Sequence, residues 1–192
     1  MKKIISLMLI LMMLFTLAAC NQKKNVTPPT PAVPDSDTDV DVEVDVEVEA
    51  ESEESTVEAI EEYIDIITGD LLDLENEFRE SYASVSLDNY VDDSTMYEEL
   101  TSNTVVLGEE LLEAAEEIMD EITNDEVADV HNIYIEYAEV NLDAIETVIE
   151  ALEEQDEDLI EEANDLLTEG AELGEEFADA LNALMAEYGV TL

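Results

Sequence analysis

The sequence has almost no positive charge. Five Lys and Arg stand against 54 Asp and Glu, and the formal net charge is −49. Nucleic acid is excluded as a direct ligand, because binding it needs a basic face that displaces counterions. Unaided docking on anionic lipid fails for the same reason. A single Cys excludes an intrachain disulfide framework and any CxxC metal or redox site. A single His, His131, excludes the paired Glu-x-x-His motifs of di-iron carboxylate bundles. Proline is confined to Pro28, Pro29, Pro31 and Pro34. What remains is 192 residues with an ordinary 46% hydrophobic content, enough for one domain with a real core.

The charge is unevenly distributed. Lys2, Lys3, Lys23 and Lys24 lie in the first 24 positions, and every acid follows Pro34. From Glu51 to Leu192 there are 46 acids and one base, Arg79. The two ends of the chain therefore read separately.

Met1-Lys2-Lys3 is a short positive segment, followed by the apolar run Ile4 to Ala19. Sixteen residues are few for a membrane span of about 20, and they match the hydrophobic stretch of an export signal. The run ends in Leu17-Ala18-Ala19-Cys20. This L-A-A-C resembles the lipobox of bacterial lipoproteins. The resemblance implies that residues 1–19 are a lipoprotein signal peptide and that Cys20 is the lipidated mature N-terminus. It also implies a protein anchored in the cell membrane and exposed on its extracytoplasmic side. A double acyl anchor holds stably where a single chain does not.

Residues 20–51 read as a flexible linker. Four prolines favour extended conformations. From Asp39 to Glu49 acid and Val alternate strictly. As a strand, this segment would line one face with carboxylates and find no basic partner, so a self-repelling tether reaching up to about 100 Å is expected. Asp35, Asp37, Asp39 and Asp41 imitate the start of an EF-hand loop, but Val40 stands where the turn needs Gly and Val46 where the ion needs a bidentate Glu.

From residue 52 the period becomes helical, and residues 52–192 read as an all-α, up-down-up-down four-helix bundle. The first seam is Val57, Ile60, Ile64, Ile67, Leu71, Leu74, Phe78 and Tyr82, in steps of three and four. Ser55 with Glu58, Thr95 with Glu98, and Thr123 with Glu126 have capping-box spacing. Leu87, Tyr90 and Val91 are expected to tuck against the bundle from the first connection. Thr101-Ser102-Asn103-Thr104 competes for backbone hydrogen bonds and marks an interruption in the second helix. The third seam runs from Val127 through Val130, Ile133 and Tyr137 to Leu152. Gln155-Asp156-Glu157 is a turn, and Gly189 stands where a C-terminal cap belongs. The stretch His131 to Gly170 resembles helical domains of lipoproteins from Gram-positive bacteria. That resemblance implies a surface-displayed bundle and no activity.

Few residues carry candidate chemistry. His131 sits one turn before Tyr134. With Tyr134 and a carboxylate such as Glu126 or Glu136 it forms a candidate ligand-binding site. The plainer alternative is a boundary histidine with its ring on the bundle edge. Arg79 pairs with Glu75 in the favourable acid-first order. Gly170-Ala171-Glu172-Leu173-Gly174 has GxxxG spacing, which in an acidic helix admits a close neighbour such as a Tyr. No nucleophile motif, haem motif or cleft signal is present, so no enzyme, cofactor or metal site is expected.

The expected protein is a monomeric, lipid-anchored lipoprotein serving binding or structural interaction at the cell surface. Its partners are the membrane, through Cys20, and an unidentified protein or cation. The alternative is a surface protein that sequesters calcium. Acids spread over all the helices favour adaptation to salty or alkaline surroundings over a dedicated cation patch.

Overall fold

A computed structural model describes residues 46–191. Cys20, residues 1–19 read as a signal peptide, and nearly all of the segment read as a linker lie outside the described residues. Six α-helices occur among the described residues: α1 (Val46–Ile66), α2 (Leu72–Val85), α3 (Asp93–Glu99), α4 (Val105–Glu121), α5 (Asp125–Glu154) and α6 (Glu157–Tyr188). Five-residue π-helical turns, Ile67–Leu71 and Leu100–Thr104, join α1 to α2 and α3 to α4. The six therefore compose four long helices, and no strand occurs among the described residues.

α1 and α3 begin earlier than the sequence pattern predicts, α5 begins slightly later, and α3 and α5 are capped by other residues. α1 starts at Val46, inside the segment read as tether. Ser55 consequently lies within α1 and not at its start. At α3 the cap is Asp92, whose carboxylate accepts from the Thr95 amide at 2.8 Å. At α5 it is Asn124, whose side-chain oxygen accepts from the Glu126 and Val127 amides. The capping-box spacing located the starts of α3 and α5 to within three residues and missed that of α1 by nine; at α3 and α5 the stronger Asp and Asn acceptors stand closer to the turn and take the amides. Gln155 ends α5 in the left-handed conformation, Asp156 caps α6, and Gly189 (φ 71°) ends it. These three follow the expectation.

The second π turn falls at the expected interruption, Thr101 to Thr104; the first falls at Gly69. Gly69 leaves helical geometry (φ −94°, ψ −123°), which divides α1 from α2. In the second turn the Thr101 hydroxyl bonds back to the Tyr97 carbonyl at 2.7 Å, the local competition that its residue type implies.

The seams are buried as their periodicity requires. One core cluster gathers Leu71, Phe78 and Tyr82 with Leu100, Leu111, Tyr134, Ile145 and Val148. A second joins Ile60, Tyr63 and Ile64 of α1 to Val127 and Val130 of α5 and to Leu184 and Met185 of α6. Ile67, Ile118 and Phe177 pack against both. In the first connection Tyr90 is half-buried, but Val91 is 72% exposed, contrary to expectation. The Leu87 side chain lies outside what is described. Tyr90 is held by its hydroxyl on Asp93, and Val91 has no such tie.

Candidate functional site

His131 belongs to α5 and is fully buried. Its Nε2 lies 2.7 Å from the Ala115 carbonyl oxygen of α4, and its Nδ1 lies 2.9 Å from the Tyr63 hydroxyl of α1. A carbonyl only accepts, so Nε2 carries the proton. Nδ1 therefore accepts, and the Tyr63 hydroxyl donates. Burial holds the imidazole below its ordinary value, with the Ala115 hydrogen bond opposing, so the ring is neutral.

This geometry corrects the bundle-edge expectation for His131. The ring is in the core and not on the bundle edge. Both nitrogens are committed, so neither offers a lone pair to a ligand. Tyr134 does lie against it: the two rings stack with centroids 5.9 Å apart and planes 9° from parallel. Phe177 of α6 meets the Tyr134 ring edge-on at 5.2 Å.

The carboxylate of this cluster is Glu75, not Glu126 or Glu136. Glu75 accepts from the Tyr134 hydroxyl through Oε2 and from the Tyr137 hydroxyl through Oε1, each at 3.2 Å. Arg79 closes the group at 3.7 Å, the i,i+4 pair expected from sequence. Burial first, then the negative charge of Glu75, push both phenols well above their ordinary value; Arg79 opposes this at Tyr137. Glu126 instead accepts from Tyr188 at 2.9 Å, and Glu136 is exposed.

A pattern missed at the sequence level emerges here. Tyrosine hydroxyls occupy the place that Lys and Arg hold in ordinary bundles. Tyr134 and Tyr137 bond Glu75, Tyr97 bonds Glu153 at 2.5 Å, and Tyr188 bonds Glu126. Each of these links crosses between long helices. The two bonds to Glu75 are partly buried and the other two are exposed; each has a charged acceptor and adds no charge. The signal was present in the ratio of seven Tyr to five Lys and Arg, but pairing needed the fold.

Gly170 and Gly174 act as the GxxxG spacing implies. A Cβ on Gly170 would lie 2.6 Å from the Asn141 amide nitrogen, and one on Gly174 would lie 3.4 Å from the Tyr137 ring. Among the described residues no three His, Asp or Glu side chains are placed to hold a metal ion. A groove lined by Glu53, Glu54, Val57, Glu187 and Tyr188 is open and acidic. The arrangement as a whole is suited to holding helices together. Comparison with protein-family models, curated proteins and solved structures finds no match.

Proposed function

We propose that this chain is a lipoprotein of the cell envelope, lipidated at Cys20 and displaying an acidic four-helix bundle on the extracytoplasmic side of the membrane. The observation that carries this reading is the lipobox-like Leu17-Ala18-Ala19-Cys20 directly after a basic start and a short apolar run. No described helix is long and apolar enough to cross a membrane.

An up-down-up-down order fits the residue pairs. Ser81 meets Thr104 and Phe78 lies beside Gly108; Tyr97 meets Glu153 and Ala115 meets His131. In those pairs one number rises as the other falls. From Tyr63–His131 to Glu75–Tyr137 both rise, as they do for alternate helices of such a bundle.

The role is binding or structural and not catalytic. Its support is that His131 is committed to the core and that Arg79 stands in a local pair with Glu75. The test is Cys20→Ser expressed in a bacterial host with labelled fatty acid. Loss of label and release of the protein into the medium is expected. Labelling at the wild-type level would overturn the anchor.

A further inference from the structure

His131 is the polar joint between the two halves of the core. Tyr63 belongs to the cluster that α1 forms with α5 and α6, whereas Ala115 and Tyr134 belong to the other. The α1 segment is attached to the rest of the domain through Ile60, Tyr63 and Ile64, with hydrogen bonds from Tyr63 to His131 and from Asn124 to Thr56. At its far end it meets the break at Gly69, where the backbone is non-helical. The structure thus has an arm, a hinge and a buried titratable latch.

Protonation would act on this joint directly. A second proton on His131 goes to Nδ1, which then donates and can no longer accept from Tyr63. The two groups become donor facing donor unless the Tyr63 O–H rotates so that its oxygen accepts from Nδ1–H, and in either case the new charge lies in a fully buried layer. The groups facing the ring offer little compensation. From α1 there is the Tyr63 hydroxyl; from α4, the Ala115 carbonyl, already in use; from α5, the Tyr134 ring. From α6, Phe177 reaches only Tyr134. Glu75 is reached only beyond Tyr134, and His131 forms no ion pair among the described residues. The arm itself carries Glu53, Glu54, Glu58, Glu61, Glu62 and Asp65, which repel an acidic domain and resist re-docking.

We propose that His131 is an acid-operated latch, whose protonation releases α1 from α5 at the Gly69 hinge while α4, α5 and α6 stay packed. On the anchoring read above, α1 is the segment nearest the tether, so release would change how the bundle is presented at the surface. The latch itself does not depend on that anchoring.

Hydrogen exchange on the full chain at constant ionic strength, from about pH 7.5 to about pH 5, tests this. The proton resonances of His131, the sole histidine, give its titration midpoint in the same samples. Protection of the Tyr63–Ile66 amides is expected to fall about tenfold per pH unit below the unfolded histidine value, with the midpoint of His131, while α5 and α6 hold theirs. In His131→Gln, which donates and accepts without titrating, the fall should vanish. Unchanged arm protection across the His131 midpoint overturns the latch. So does equal loss in all helices, or the same fall in His131→Gln. If that variant does not fold, coincidence of the two wild-type midpoints decides.

Discussion

The Tyr63 hydroxyl donates to Nδ1 of His131 across 68 positions of sequence, at 2.9 Å and out of contact with solvent. With Nε2 on the Ala115 carbonyl, this bond fixes one tautomer and ties three of the long helices together. It also makes the only histidine of a strongly acidic chain a neutral core residue.

His131→Ala should therefore destabilise the domain by about 2–4 kcal/mol, through the cavity and the stranded Tyr63 hydroxyl. Tyr63→Phe should cost about 1–3 kcal/mol. Urea unfolding followed by circular dichroism measures both. A loss under half a kcal/mol for His131→Ala would refute its place in the core.

Alkaline pH should unfold the protein. Burial pushes Tyr82 and Tyr90 up to about 12 and Tyr63, Tyr134 and Tyr137 higher still, from an ordinary 10.0. A raised value means that the unfolded chain loses its phenolic protons first. Stability is thus complete below pH 10 and is lost as pH climbs towards and beyond 12. Tyrosinate absorbance and helical ellipticity should change together in one transition; phenols that titrate well before the helix melts would contradict their burial.

The glycines of the helix contacts should respond in opposite directions. A Cβ on Gly108 would lie 2.9 Å from Leu142 Cδ1 and 3.0 Å from Phe78 Cε2, so Gly108→Ala should cost about 1–3 kcal/mol by overpacking. On Gly174 the nearest atom is at 3.4 Å, an ordinary contact, and Gly174→Ala should gain about 0.5–1 kcal/mol of helix propensity. Thermal melts of the two variants displaced in the same direction would contradict this.

Screening should raise the melting temperature. With 46 acids and one base from Glu51 onward, repulsion opposes folding until counterions shield it. Molar NaCl is expected to stabilise, and millimolar CaCl₂ to do no more than NaCl at equal ionic strength. Calcium stabilisation beyond that match would favour the cation-sequestering alternative.

Deleting residues 35–45 should leave the melting temperature within about one degree of wild type, because the deletion stops short of Val46, where α1 begins. A large fall would give this acidic segment a structural role.

The three-and-four spacing of apolar residues by itself determined that residues beyond the linker are helical and which faces they bury. Ile60, Ile64, Leu71, Phe78 and Tyr82, named from that spacing, are all in the core. The interruption at Thr101, the turn at Gln155 and the stop at Gly189 were legible too, because each is a matter of local backbone preference. Partner choice was not. Tyr63 lies one position before the seam residue Ile64, and no local rule brings its hydroxyl to His131 or sends two tyrosines of α5 to Glu75. The caps went to Asp92 and Asn124 because caps depend on where the chain turns, to the residue. Sequence spacing fixes a face of one helix; the tertiary structure decided which groups from three helices meet there, since only packing sets their axial register and rotation.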